Sequence, residues 1–116
     1  MEKPPDTRVY LKHIRDAIHV IDEYIDSVSE KEFYETKLLQ DGVIRQLEII
    51  GEAVKQLPWP LINKYPETPW KDIAGTRDKL IHDYFSVDVE TVWLTAQKDL
   101  PDLEKTIKKM LNAFDK

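Results

Sequence analysis

Apolar residues recur every three or four positions along most of the chain, which is the spacing of one helix face. The first such series follows an Asp6 or Thr7 cap and predicts a long helix. Its apolar positions are Tyr10, Ile14, Ala17, Ile18, Ile21, Tyr24, Ile25 and Val28. The next four residues, SEKE from Ser29 to Glu32, have the form of a capping box, so another helix is predicted to start there.

A second long series covers about Thr36 to Leu57 and predicts a helix with neighbours on two sides, because its apolar stripe is broad. Its apolar positions are Leu38, Leu39, Val43, Ile44, Leu47, Ile50, Val54 and Leu57. The following stretch, LPWPLINKYPETPW, holds four of the seven prolines and marks the main break in the chain. Its apolar residues are expected to pack onto the helices: Trp59, Leu61, Ile62, Tyr65 and Trp70. We therefore interpret it as a folded connection within one domain.

Two further helices are predicted after this connection. One begins near Pro69 and runs to about Tyr84, and the next begins at an Asp88 cap. Pro101 is expected to kink or restart the last helix. The sequence has neither strand-like alternation nor an Asn-Gly or Asp-Gly hairpin signal. The pattern therefore predicts an all-α, up-and-down bundle of four main helices in a single domain spanning residues 1–116.

Composition narrows the class of protein. Charged residues make up 34% and apolar residues 41% of the 116 residues, which is ordinary for a globular domain with its own core. The net charge of −5 argues against a protein that coats nucleic acid, because phosphate binding depends mainly on Lys and Arg, and DNA is not an expected partner. With no cysteine and no run of about 20 apolar residues, neither cysteine-ligated zinc nor a membrane span is expected. We expect a cytoplasmic protein that needs no metal or other cofactor.

The candidate chemistry lies in RDKLIHDYF, from Arg77 to Phe85. Arg77 and Tyr84 share a helix face, whereas His82 lies about 140° from Arg77 around an ideal helix. Arg77 and His82 could meet at one ligand if the helix bends near His82, or if two copies of the chain pair across a symmetry axis. On spacing alone, such residues are more often surface residues of an amphipathic helix, with Tyr84 a half-buried aromatic at its end.

A histidine and an arginine at one ligand would suit metal-free cleavage of RNA. Histidine titrates near neutrality and can take or give a proton, and arginine binds phosphate oxygens and stabilises charge in a phosphoryl transition state. The 2′-hydroxyl of RNA supplies the nucleophile. Asp78 lies four residues before His82 and could orient the imidazole. By contrast, Trp59, Trp70 and Trp93 are interpreted as core residues in preference to base-stacking platforms, and His13 and His19 as surface or interface residues.

Three segments together resemble a known family: IRQLEIIGEAVKQLP (44–58), TPWKDIAGTRDKLIHDYFSVDVETVW (68–93) and DLPDLE (99–104). Their order and spacing are similar to those of the HepT-like toxins of the HEPN superfamily, which are paired with a minimal nucleotidyltransferase in type VII toxin–antitoxin modules. The resemblance covers nearly the whole chain and is weakest before residue 36 and after residue 108. It implies a homodimeric bundle of four to five helices, in which two R-x4-H motifs face each other across a cleft.

The resemblance also implies an activity and its residues. Family members are typically metal-independent ribonucleases, so Arg77 and His82 are expected to be catalytic and to leave a 2′,3′-cyclic phosphate. Asp78 falls in the polar position after the arginine, where relatives often have Asn; its charge would favour a protonated His82. Lys79 would add positive charge to the cleft for RNA, and Glu52 of the IGEA segment would brace the site or occupy a solvated helix position.

Regulation is implied at Tyr84, the tyrosine of R-x4-H-x-Y. In this family the nucleotidyltransferase transfers AMP to that tyrosine, and a bulky, negatively charged group beside Arg77 would exclude the RNA strand. Two other readings stay open from the sequence. One is a non-catalytic module that binds a nucleotide or a partner segment and acts with a nucleotidyltransferase, and the other is a structural subunit that only oligomerises.

Overall fold

The structure is a computed structural model that describes residues 6–75 and 88–114. Within these ranges the chain forms helices and their connections, with no strand, which confirms the predicted all-α class. The helices are α1 (Thr7–Ile25), α2 (Glu30–Glu35), α3 (Lys37–Lys55), α4 (Trp59–Ile62), α5 (residues 70–75), α6 (Val89–Leu94) and α7 (Leu100–Phe114), with a π-helical turn (Thr95–Asp99) between α6 and α7. Most of the apolar positions of the sequence pattern that the structure describes contribute to one core.

Local side-chain chemistry sets the starts of three helices. Asp6 caps α1 by accepting a hydrogen bond from the Arg8 amide at 3.0 Å. Ser29 caps α2 in the same way through the Glu32 amide, at 3.1 Å. Asp88 caps α6 by accepting from the Glu90 amide at 3.0 Å. The predicted caps are therefore present, because a short polar side chain satisfies amides that the first turn leaves without partners.

The first helix ends earlier than its apolar series suggests. It stops at Ile25, and the next residues form a turn in which the Val28 amide donates to the Ile25 carbonyl at 3.0 Å. The turn is type II, because Asp26 has φ −59 and ψ 126 and Ser27 has φ 60. This turn redirects the chain into α2, so Val28 packs against the core from a loop and not from the helix.

Helix α1 is the centre of the bundle. It packs against α3 on one side and α7 on the other, and its inward residues Leu11, Ile14 and Ile21 have no exposed surface. Fully buried residues of other helices belong to the same core: Phe33, Val43, Ile50, Ile107 and Met110. The broad stripe predicted for α3 faces α1, α2 and α6, although its first member, Leu38, is 81% exposed.

The proline-rich connection packs against the bundle as predicted, with one exception. Trp70 is 7% exposed and donates its indole N–H to the Tyr65 carbonyl at 3.0 Å. Leu61 and Ile62 are half-buried against the core. The prediction that Trp59 packs inward is wrong, because its side chain is 68% exposed. Helix α4 has only four residues, and Leu61 and Ile62 fill its inward side.

Pro101 disturbs the regular helix just before it. It has no amide hydrogen for the Gln97 carbonyl, and its ring would crowd that carbonyl in a regular helix. The chain widens into the π-helical turn Thr95–Asp99, in which the Leu100 amide bonds to the Thr95 carbonyl, five residues back. The predicted kink or restart thus takes the form of a wide turn just before the proline, and α7 continues from it.

Candidate functional site

Most of the predicted site residues lie outside the described residues. Arg77, Asp78, Lys79, His82 and Tyr84 belong to the range 76–87, which the structure does not describe. Helix α5 directly precedes this range in the sequence: residues 70–75 are helical, and the Ile73 amide donates a hydrogen bond to the Pro69 carbonyl at 3.1 Å. The predicted start of this helix near Pro69 is therefore confirmed.

Glu52 is the predicted site residue that the structure does describe. It is exposed on α3 and lines a groove between the first half of α1 and the second half of α3. We call this the α1–α3 groove; its volume is about 500 Å³. Its lining residues are Tyr10, His13, Arg45, Glu48, Ile49, Glu52, Ala53 and Gln56. Glu52 thus faces a concave surface and not a flat helix exterior.

The groove combines an aromatic wall with a charged rim. The rings of Tyr10 and His13 meet edge to face, with centroids 6.2 Å apart and planes at 88°. Across from them, Arg45 pairs with Glu48 at 3.3 Å, and the Arg45 side chain is 69% exposed. Ile49 is half-buried against the core, and Ala53 is buried. Such a surface can bind a flat ring together with polar groups at its edge.

A second concavity lies on another side of α3 and is distinctly acidic. It has a volume of about 540 Å³ and lies between α3, the start of α5, the π-helical turn and α7. Four carboxylates line it, those of Glu67, Asp72, Asp99 and Asp102. A hydrogen bond of 3.1 Å between the Thr68 and Thr106 hydroxyls ties its two walls together. Its charge makes it a poor surface for an RNA phosphate.

Two side chains away from the α1–α3 groove have a raised pKa, and each shift has a local cause. Burial raises the pKa of Asp22, and the nearby Glu104 carboxylate raises it further. Glu104 in turn pairs with His19 at 3.3 Å across α1 and α7, which makes His19 an exposed interhelical residue. A hydrogen bond to Glu30 raises the pKa of Tyr34 to about 12. None of these groups lines the α1–α3 groove.

The described residues contain neither a candidate metal-binding cluster nor a helix that could span a membrane. Over residues 6–75 and 88–114, no cluster of three or more His, Asp or Glu side chains is arranged to hold a metal ion. Among the helices in the same ranges, none is both long and apolar enough to cross a bilayer.

Comparison with known proteins identifies the family. The family model for ribonuclease HepT-like proteins matches residues 14–110. A Caldanaerobacter subterraneus protein named "Putative RNase" is 44% identical over 104 residues, which are 90% of this chain and 93% of that protein. A Thermococcus cleftensis protein named "Probable ribonuclease HepT" is 44% identical over 101 residues, covering 87% of this chain and 92% of that protein.

One relative is a longer protein. It is named "Gamma-glutamylcyclotransferase and putative RNase", comes from Methanocaldococcus jannaschii, and is 45% identical over 111 residues. The match covers 96% of this chain but 50% of that protein, so this chain spans half of its length. No solved structure matches the chain. The family match over residues 14–110 and the agreement with full-length relatives show that the chain belongs to the HepT-like family of the HEPN superfamily.

Proposed function

We propose that this protein is a metal-independent endoribonuclease whose catalytic residues are Arg77 and His82. The observation that carries the proposal is membership of the HepT-like family together with an intact R-x4-H-x-Y motif. The names of the relatives, which describe RNases, support the same substrate class. RNA is the fitting substrate because its own 2′-hydroxyl can act as the nucleophile, so no metal-activated water is needed.

The proposed reaction is an internal transfer at phosphorus. His82 takes the proton from the 2′-hydroxyl, whose oxygen attacks the phosphorus, and the bond from phosphorus to the 5′-oxygen breaks. The leaving oxygen takes a proton from the protonated His82 of a second copy of the chain and departs as a 5′-hydroxyl, and a 2′,3′-cyclic phosphate remains. Arg77 stabilises the charge on the phosphoryl oxygens. Asp78 favours the protonated form of His82 by its negative charge.

We propose that the working unit is a homodimer in which the two motifs face each other. Support comes from the geometry of a single helix, where Arg77 and His82 point about 140° apart and cannot easily serve one phosphate. Two copies supply two arginines, two Lys79 side chains and two histidines to one cleft, so that one histidine can accept a proton while the other donates one. This cleft would be a local basic site on a chain of net charge −5.

The activity is proposed to be a toxin activity that a cognate nucleotidyltransferase silences in the cytoplasm. The nucleotidyltransferase would transfer AMP from ATP to the Tyr84 hydroxyl, forming a phosphodiester and releasing pyrophosphate. On an ideal helix Tyr84 would share a face with Arg77, and the added phosphate would then lie where the RNA phosphate is proposed to bind. Co-expression should add one or more AMP masses to the wild-type chain and none to Tyr84→Phe, measured by intact-protein mass spectrometry.

Cleavage by purified protein in EDTA tests the proposed chemistry. His82→Ala and Arg77→Ala should each lower the cleavage rate by about a hundredfold or more. His19→Ala and Arg15→Ala are the matched controls, since they remove the same side chains from α1, where His19 is exposed and pairs with Glu104, and Arg15 is half-buried and pairs with Asp16. Full activity of either motif variant in EDTA would refute the assignment of that residue.

A second function is favoured by the acidic surface of the chain. A non-catalytic module would bind a nucleotide or a partner segment and leave RNA intact, which suits a net charge of −5. The acidic cavity beside α7 favours a basic partner segment over a nucleotide, because its carboxylates repel phosphate. Intact RNA after incubation with pure protein, combined with saturable nucleotide binding, would establish this function and exclude the enzyme.

A further inference from the structure

The α1–α3 groove has the lining of a site for a flat, polar ring. Its wall is the edge-to-face pair of Tyr10 and His13, and Ile49 gives it an apolar floor. At about 500 Å³ it falls within the usual size range of small-ligand sites, which is roughly 300–1,000 Å³. We propose that this groove binds an unpaired base of the RNA substrate, an inference that rests on the proposed ribonuclease function.

The aromatic wall supplies the contact that a base needs. His13 is exposed and Tyr10 is half-buried, so one ring is anchored to the core while the other borders solvent. Unpaired bases bind proteins chiefly by stacking on such rings, and each stacked base commonly changes affinity by about tenfold or more. Because the two rings are perpendicular, at 88°, a base can stack on one face and meet the edge of the other.

The charges of the groove decide which part of a nucleotide enters. Glu48 and Glu52 are carboxylates and would repel a phosphate, whereas they can accept hydrogen bonds from the amino and imino groups of a neutral base. The Gln56 amide adds both a donor and an acceptor at the same surface. The base therefore belongs inside the groove, and the phosphates of the strand belong outside it.

The Arg45 guanidinium can bind one of those phosphates. Its side chain is 69% exposed and pairs with Glu48 at 3.3 Å. Such a surface ion pair contributes little free energy, so the guanidinium can exchange this partner for a phosphate oxygen when a strand binds. A ring wall, acceptors for base edges and a guanidinium at the rim favour a nucleotide unit over an apolar peptide or an apolar face of a second copy.

The inference is tested by measuring the affinity of full-length His82→Ala protein for a labelled single-stranded RNA. Fluorescence anisotropy is the readout. In this non-cleaving background, His13→Ala and Tyr10→Leu should each weaken binding by about tenfold. His19→Ala is the control for His13, because both histidines are exposed on α1 and His19 does not line the groove. Tyr10→Leu keeps most of the apolar volume, so its effect separates the loss of a ring from a packing defect.

A matched arginine pair extends the test. Arg45→Ala should weaken RNA binding several-fold, whereas Arg15→Ala should leave it unchanged. Both residues are arginines on helix surfaces, although Arg15 is half-buried and Arg45 is exposed. Each forms an ion pair with a carboxylate, and both substitutions change the net charge equally. Equal effects of the two substitutions would mean that net charge and not the groove controls binding, which would overturn the inference.

The outcomes separate the inference from the proposed function. If wild-type protein cleaves RNA and the groove variants bind it like their controls, the groove is not a base site although the enzyme stands. If wild-type protein cleaves nothing yet binds RNA through Tyr10 and His13, the enzyme proposal fails and the groove stands. A lower sedimentation mass for His13→Ala would instead place a second copy of the chain in the groove, and that result would also overturn the inference.

Discussion

At the scale of single residues, the contrast between two tryptophans shows that position decides what a side chain contributes. Trp70 is 7% exposed and its indole N–H has a partner at 3.0 Å, whereas Trp59 is 68% exposed. Trp70→Ala should therefore lower the free energy of unfolding by about 3–5 kcal/mol. Trp59→Ala should change it by less than about 0.5 kcal/mol. Urea unfolding of both variants measures the difference, and similar losses would show that Trp59 is buried in solution.

Asp22 gives a residue-scale prediction for pH. Burial, and then the Glu104 carboxylate, raise its pKa above 3.8, so the folded protein holds this proton more tightly than the unfolded chain. The stabilising contribution is complete below pH 3.8 and is lost as pH rises through the higher folded value. Asp22→Asn should therefore stabilise the protein at pH 7, by less than about 1 kcal/mol because the site is largely solvated.

Unfolding by urea at pH 7 and at pH 3 measures this effect. The gain from Asp22→Asn should be present at pH 7 and absent at pH 3. Groups that face Asp22 are Glu104 from α7 and His19 from its own helix, and His19 opposes the shift. Asp16→Asn on the same helix, away from this cluster, should not reproduce the gain. A gain for Asp22→Asn of equal size at both pH values would contradict the assignment of the effect to ionisation.

At the scale of elements, most of the correct predictions came from helix caps and from the spacing of apolar residues. Asp6, Ser29 and Asp88 start helices because each satisfies an amide two or three residues away, and so short a range is fully visible in the sequence. Leu38 and Trp59 were expected inside and lie outside, because burial depends on which neighbours reach a helix end. The disturbance at Pro101 was predicted, because a proline lacks the amide that a helix needs, but the sequence did not specify that it would take the form of a π-helical turn.

The α1–α3 groove was not found from the sequence for the same reason. Tyr10 and His13 belong to one helix and Arg45 to another, and nothing local connects them. One signal was available: positions 45, 48, 49, 52, 53 and 56 repeat at helical spacing beside the buried stripe of α3. Such a half-apolar edge is common on helices, so only the packing of α1 against α3 distinguishes a groove from an ordinary surface.

The contact between α1 and α3 yields a prediction at this scale. A Cβ at Gly42 would lie 2.9 Å from Tyr24 Cε2 and 3.1 Å from Cδ2, so Gly42→Ala requires the ring to move. We expect Gly42→Ala to destabilise the wild type by about 1 kcal/mol, because the strain exceeds the gain in helix propensity. In a Tyr24→Ala background the same change should stabilise by about 0.5–1 kcal/mol.

Gly75 is the matched control for this cycle. A Cβ there would meet nothing within 4 Å, so Gly75→Ala should show the propensity gain with or without Tyr24. Thermal and urea unfolding of the four Gly42 and Tyr24 combinations measure the coupling. An identical effect of Gly42→Ala in both backgrounds would mean that Tyr24 does not set the approach of α1 to α3.

At the scale of the whole molecule, an acidic chain must bind a polyanion if the proposed function is right. A net charge of −5 repels RNA at long range, so attraction has to come from a few cations gathered at one site. The proposed dimer gathers two copies each of Arg77 and Lys79. Substrate binding should therefore depend on salt through a small number of phosphate contacts, unlike that of a protein with a uniformly basic surface.

This difference can be measured as the slope of log affinity against log salt concentration. Each phosphate contact to single-stranded RNA adds about 0.7 to the magnitude of that slope, so Lys79→Ala should reduce it by about 1.4 when two copies share one site. Lys105→Ala makes the same change in net charge on the exposed surface of α7 and should leave the slope unchanged. A reduction of about 0.7 for Lys79→Ala would indicate that one copy binds each strand, and equal reductions for both variants would rule out a local basic cleft. The slope therefore reports how many copies of the chain contact the substrate.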